Sequence, residues 1–374
     1  MLNKILSKFS YFKFRNTLKT NVDIYLNLGE EYLESGKFDQ ALDVYKLALS
    51  ANAYNIEAIL GIAKVYHEIK KESEAIENFK KAININSRDL RGYLGIADIY
   101  VEHLEFHKAI EYHQQVLKIR PNYSYSSYQL GLLYFRLNQN DKAITALVDT
   151  INNNPNYDKA FLSLGKVYEK NGDATKALSY FQKAMECNPE SVEAYLYLAH
   201  LYEAKKMDNI AVDFYRKVIT MDSKNEDAFF RLGVIYSKFG SSDLAIDNLR
   251  KVAVMNPNNF EAQFLLGTAY LNKFKFALSI QHLNIAINGN NSSGKSYLNL
   301  SKAYKLQNEF DKQFEALKAA YKLNESDPEV LVEFAEYYGY KDDRQSQIKY
   351  YSDAALLHNE KAKEWLRNNN IEVS

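Results

Sequence analysis

Residues 158–191 read DKAFLSLGKVYEKNGDATKALSYFQKAMECNPES. Two apolar stripes with helical spacing run through this stretch, one on each side of a turn. The first carries Leu164, the small Gly165 and Tyr168; the second carries Ala177, Phe181 and Ala184, and Pro189 closes the stretch. Offsets of three and four place each set on one side of a helix, where a small residue lets a neighbouring helix come close. The stretch predicts helix–turn–helix.

Tyr168 is one of a series spaced by 34 residues: Tyr32, Tyr66, Tyr100, Tyr134, Tyr168, Tyr202, Tyr236, Tyr270, Tyr304 and Tyr338. Four positions before each tyrosine stands Leu28, Ile62, Ile96, Leu130, Leu164, Leu198, Leu232, Leu266, Leu300 or Phe334. Next comes a small residue, from Gly29 and Ala63 through to Ser301 and Ala335. The second stripe repeats as Ala41, Ala75, Ala109, Ala143, Ala177, Ala211 and Ala245, and loosens to Ser279, Gln313 and Gln347. Bulky residues follow it by four, as in Tyr45, Phe79, Phe181, Tyr215 and Tyr351. Asp39, Ser73, Asp141, Thr175, Asn209, Asp243 and Asp311 are the expected caps of the second helices. Pro121, Pro155, Pro189 and Pro257 lie near repeat ends and Pro328 opens the last repeat, as expected for a residue that costs about 3 kcal/mol inside a helix.

A hairpin this small cannot bury its own apolar face and must stack on its neighbours. The expected organisation is one elongated array of ten repeats: 22–55, 56–89, 90–123, 124–157, 158–191, 192–225, 226–259, 260–293, 294–327 and 328–361. Residues 362–374 follow as a capping helix and tail, with Trp365 and Leu366 tucked against the tenth repeat. Residues 1–21 precede as a basic amphipathic segment.

The pattern resembles the tetratricopeptide repeat family over residues 22–361. Leu164-Gly165, Tyr168, Ala177, Phe181, Ala184 and Pro189 carry that resemblance within one repeat. It implies an all-α, right-handed α-solenoid whose first helices line a concave groove. It also implies a non-catalytic binding function toward peptides, helices or partner proteins, without a cofactor. Two specialised activities of such proteins fit poorly. Glu30, Lys64 and Asp98 occupy places where a clamp for a C-terminal carboxylate would need bases and asparagines. Only Asn27 and Asn299 occupy the places of the asparagine ladder found in sugar-transferring relatives.

Lys+Arg and Asp+Glu each number 47, so no global field favours nucleic acid. Cys187 is the only cysteine, which excludes an internal disulfide and favours a reducing, cytoplasmic setting. No run of 18 apolar residues exists to span a bilayer. The first 21 residues hold Lys4, Lys8, Lys13, Arg15 and Lys19 and no acid, with Leu2, Ile5, Leu6, Phe9 and Phe12 along one helical side. Two readings stay open for them: a cover over the first repeat, or a contact of residues 1–20 with an anionic membrane. The second would make the protein a peripheral membrane-associated assembly factor.

Catalytic motifs are weak. Gly289 to Ser296 matches the phosphate-loop pattern, but such a loop follows a strand, and Ile280, Leu283 and Ala286 before it have helical spacing. A turn between repeats accounts for it. His103, His107 and His113 read as a helix end, a helix cap and a packing residue, without a metal.

Binding is expected along the column Leu26, Leu60, Leu94, Tyr128, Leu162, Leu196, Phe230, Phe264, Leu298 and Val332, unless that column is only packing between repeats. The fourth repeat stands out. Tyr125, Tyr128, Leu132 and Phe135 give its first helix a second apolar side, and Arg136, Lys159, Lys166 and Lys170 lie nearby in sequence register. An acidic peptide or helical segment with an apolar anchor is the expected partner there. Phe230 and Phe264, with Val234 and Leu271, form a weaker second patch.

Overall fold

The computed structural model describes residues 22–289 and 293–372. The expectations for residues 1–21 lie outside the described residues, as does the middle of the phosphate-loop-like stretch. The protein is all-α: the described residues form twenty-one helices and no strand. The described residues divide into two compact parts, one up to residue 189 and one from residue 190 on.

The N-terminal part holds ten helices: α1 (Val22–Glu34), α2 (Phe38–Ala51), α3 (Ile56–Glu68), α4 (Glu72–Ile85), α5 (Leu90–Glu102), α6 (Phe106–Ile119), α7 (Ser124–Arg136), α8 (Asn140–Asn153), α9 (Asp158–Lys170) and α10 (Ala174–Cys187). The C-terminal part holds eleven: α11 (Val192–Ala204), α12 (Asp208–Met221), α13 (Glu226–Lys238), α14 (Ser242–Met255), α15 (Phe260–Asn272), α16 (Phe276–Asn288), α17 (Gly294–Leu306), α18 (Phe310–Leu323), α19 (Pro328–Tyr340), α20 (Arg344–Leu356) and α21 (Glu360–Asn368). Within each part every first helix packs along the second helix of its own hairpin, and that second helix packs on the next hairpin. This is the stacking of an α-solenoid.

The small column has a direct steric reason. A Cβ placed on Gly29 would stand 2.5 Å from the Tyr45 ring, and one on Gly61 of the next repeat 2.4 Å from the same ring. Tyr45 is thus held between two glycines of successive repeats. Burial, with Glu30 nearby, pushes its phenol up to about 12. Phe181, fully buried, takes the same place in the fifth repeat, where a Cβ on Gly165 would stand 2.3 Å from its ring. Each such side chain contributes about 1.5–3 kcal/mol of apolar burial.

The recurring tyrosine does two jobs. Its carbonyl accepts the amide five residues on, as in Lys37 N to Tyr32 O at 2.8 Å and Asp173 N to Tyr168 O at 2.9 Å. That bond closes a Schellman-type turn through a left-handed residue, such as Gly36 (φ 70°) or Gly172 (φ 79°). Its ring stacks on an aromatic of the second helix: Tyr168 on Tyr180 (5.3 Å, 3°), Tyr202 on Phe214 (5.4 Å, 14°) and Tyr338 on Tyr350 (5.5 Å, 5°).

Because this turn is so tight, the second helices begin earlier than the apolar stripe suggests. Asp39, Ser73, Asp141, Thr175, Asn209, Asp243 and Asp311 are the second residues of their helices and not caps. Asp39, Asp141, Asp243 and Asp311 instead bring negative charge to the positive helix end. Side-chain caps fall mainly on first helices: Asn55 accepts from Ala58 N (2.8 Å), Asn225 from Ala228 N (3.0 Å) and Asn259 from Ala262 N (3.1 Å). His107 likewise sits second in α6, behind Glu105.

At the two ends the stacking face differs. Ile24 is 37% exposed and Leu28 half-buried, whereas their counterparts in the other repeats, such as Ala160 and Leu164, are buried. At the other end α21 packs Leu366, 1% exposed, on α20, and Trp365 stacks on Tyr351 at 4.1 Å.

Candidate functional site: the first-helix wall of repeats four and five

α7 buries Ser126, Ser127, Leu130, Gly131 and Leu133 on its packed side. Its other side carries Tyr125, exposed at 36%, and the half-buried Tyr128, Leu132 and Phe135. Tyr128 lies over Tyr157, the residue just before α9, with ring centroids 5.0 Å apart and planes 37° from parallel. Phe135 lies beneath the Lys170 ammonium of α9, 5.0 Å from its centroid, and Lys170 also donates to Asn138 Oδ1. Phe135 of repeat four therefore meets repeat five directly, and Tyr128 meets the last residue of its own repeat, at the entry to α9. Lys159 is exposed at the start of α9 and Lys166 is half-buried midway along it. Arg136 goes the other way: its guanidinium lies 5.6 Å over the ring of Phe106 in repeat three.

Tyr125 stands at the junction with repeat three, its ring 6.3 Å from His113 and 6.1 Å from Tyr123. Burial raises its phenol. His113 occupies the place that Phe181 fills in repeat five. It is fully buried, with Nδ1 3.2 Å from Ser126 Oγ. Burial pushes its imidazole down to about 4, so the ring is neutral at physiological pH. The sequence marked His113 as a packing residue but gave no sign that Ser126 would be its partner.

The expected binding column proves to be two things at once. Leu60, Leu162, Leu298 and Val332 are buried. Leu26, Leu94, Tyr128, Leu196, Phe230 and Phe264 are half-buried, packed on one side and open on the other. Phe230 and Phe264 belong to the C-terminal part. Phe230 packs against the core around Leu232 and has Arg231 over its ring at 6.0 Å, and Phe264 packs beside Leu283 and Leu300.

Elsewhere the wall is laced by polar pairs between neighbouring repeats. Arg91 holds Glu57 through two nitrogens at 2.5 and 2.7 Å, and Glu102 meets both Lys70 (3.1 Å) and His67 (3.2 Å). In the C-terminal part His200 pairs with Asp227 at 2.6 Å, Lys302 with Glu329 at 3.3 Å and Lys305 with Glu333 at 3.2 Å. The exposed pairs among these are worth about 0–1 kcal/mol each and set register more than stability, whereas Glu333 is itself buried. The stripe of α7, by contrast, is aromatic and aliphatic along its length.

The three histidines of repeat three have separate surroundings. His103 ends α5 and faces Glu72 at 3.4 Å, His107 is exposed, and His113 is buried. Among the described residues no group of three His, Cys, Asp or Glu is arranged to hold a metal. The phosphate-loop-like stretch is preceded by helix α16 and not by a strand; Ser293 caps α17 by accepting from Ser296 N at 3.2 Å. No helix among the described residues is long and apolar enough to cross a membrane.

Stacked hairpins with a wall of first helices define a helical-repeat interaction scaffold. Three family profiles, each describing the tetratricopeptide repeat, match residues 22–55, 56–89 and 294–327, residues 128–192 and 230–295, and residues 180–212. The chain belongs to the tetratricopeptide repeat family. Its fold is similar to that of the C-terminal part of a TPR repeat-containing protein from Cytophaga hutchinsonii, with 18% identity, TM-score 0.55, and coverage of 64% of this chain and 99% of that one. YrrB, a TPR protein with an unusual peptide-binding site, matches at 21% identity and TM-score 0.48, covering 50% of this chain and 97% of its own. The MamA protein matches at 31% identity and TM-score 0.40, covering 46% and 94%. No curated protein matches the chain.

Proposed function

We propose that the protein is a non-enzymatic adaptor that docks a segment of a partner protein on the wall of repeats four and five. Proteins of this family bind other proteins or peptides, which supports reading the chain as an interaction scaffold. The observation that carries the finer reading is the apolar stripe of α7. Tyr125, Tyr128, Leu132 and Phe135 line one side of a helix whose other side is already packed. A helix apolar on both sides, at a wall open to solvent, offers anchor pockets for a partner. The lysines Lys159, Lys166 and Lys170 beside it favour a segment with acidic flanks around an apolar anchor.

Panning the purified full chain against a random-peptide phage library tests this. The expected peptides carry one aromatic or aliphatic anchor flanked by Asp or Glu, and lose binding to the Tyr128→Ala/Phe135→Ala variant while its helicity is unchanged. Peptides that bind the folded variant as tightly as the wild type would refute the reading.

A further inference from the structure

In the C-terminal part the turns of repeats six to eight, which join first to second helices, lie side by side along one edge of the stack. Two ion pairs show that successive turns are neighbours there. Lys238 of the seventh repeat reaches Asp208 of the sixth (3.9 Å), and Lys273 of the eighth reaches Asp243 of the seventh (2.9 Å). Large apolar side chains stand out from these turns: Met207 is 44% exposed, Phe239 49% and Phe274 75%. Ile210, Leu244 and Leu278, just inside the following helices, are exposed behind them.

Around these tips lie Lys205, Lys206, Lys238, Lys273 and Lys275, all exposed. The acids of the same turns, Asp208 and Asp243, are those engaged by Lys238 and Lys273. The edge is therefore apolar at its points and cationic around them. At the left-handed turn position most repeats hold residues at home in water or in that backbone region, namely Gly36, Lys70, Asn138, Gly172, Lys206 and Gly240; Leu104 in repeat three and Phe274 in repeat eight depart from this. Phe274 occupies this position with φ 57°, where an L side chain is disfavoured. A bulky ring is thus held in an unfavourable conformation with three-quarters of its surface in water, meeting Phe276 edge-on at 6.2 Å.

Projecting apolar points set among lysines do not make a groove for a peptide. They suit a surface that is soft, apolar just below its skin and negatively charged at the skin. We propose that the turn edge of repeats six to eight rests on an anionic lipid bilayer, with Met207, Phe239 and Phe274 entering the headgroup–acyl boundary and the lysines meeting lipid phosphates. This site is separate from the peptide-docking reading, and neither depends on the other.

Co-sedimentation of the full chain with phosphatidylcholine vesicles, with and without phosphatidylserine, tests it. The wild type is expected to bind the phosphatidylserine vesicles and to leave the neutral ones. The Met207→Ser/Phe239→Ser/Phe274→Ser variant should lose at least about tenfold in partition coefficient, and Lys206→Glu/Lys275→Glu a similar amount, with unchanged helicity. Failure of the wild type to bind anionic vesicles would overturn the proposal and point to an acidic protein as the edge's partner. Undiminished binding by the serine variant would overturn it too, and would move membrane contact to the basic residues 1–21.

Discussion

The Tyr128 ring lies over that of Tyr157 at 5.0 Å, joining the first helix of repeat four to the entry of the next. This contact holds Tyr128 half-buried, with one face packed and the rest of the ring toward the wall. An anchor fixed in this way loses little freedom on binding, which raises its contribution. Tyr128→Ala is expected to weaken a selected acidic peptide by about 2 kcal/mol, and Tyr157→Ala by about 1 kcal/mol through loss of support alone. Fluorescence anisotropy titrations check both values; a Tyr157 effect equal to zero would separate the stacking from the binding.

Tyr45 gives a test of repeat packing. Held between Gly29 and Gly61, it cannot retreat from a new methyl on one side without meeting the other. Gly61→Ala should therefore destabilise the protein by about 1–3 kcal/mol, the usual cost of overpacking. Adding Tyr45→Leu to that variant should recover part of the loss. Chemical denaturation of the single and double variants reads the outcome.

His113 predicts a pH dependence. Its folded value of about 4 lies below the ordinary histidine value, so the unfolded chain takes up the proton first. The stability it contributes is fully present above about pH 6.5 and falls as the pH drops toward 4. The whole effect is on the order of 3 kcal/mol. His113→Phe, which copies the residue found at the same place in repeats two and five, should flatten the melting temperature across that window. An unchanged slope in the variant would assign the acid sensitivity to the carboxylates.

Phe274 should be replaceable at a gain. With φ 57° and three-quarters of its surface in water, it contributes little packing and costs roughly 1 kcal/mol in backbone conformation. Phe274→Gly is expected to raise stability by about that amount, as measured by thermal denaturation. The corresponding Gly240 and Gly172 already show the relaxed solution.

The fold was legible because every repeat obeys one period. The tyrosine series, the small column and the boundary prolines each follow from packing requirements that recur ten times. What escaped the pattern are features that depend on turn geometry. The cap positions were read two residues late because the Schellman bond to the tyrosine carbonyl starts the second helix directly after the turn. The ring pairs such as Tyr168 with Tyr180 had a visible signal, an aromatic twelve residues on, but only where the second helix supplies one.

The candidate site was legible as a stripe and not as an assembly. Spacing alone put Tyr125, Tyr128, Leu132 and Phe135 on one side of α7. It could not tell that Lys170 would close over Phe135 while Arg136, next along the chain, would turn back to Phe106. Neighbouring residues on a helix point about 100° apart, so one faces the following repeat and the other the preceding one.

The central claim, that a partner segment seats on the stripe of α7, is tested most directly by photo-crosslinking. A benzophenone-bearing amino acid placed at Leu132 should capture a panned acidic peptide, and the same group at the exposed Glu77 of α4 should not. Capture at Glu77 with none at Leu132 would contradict the account.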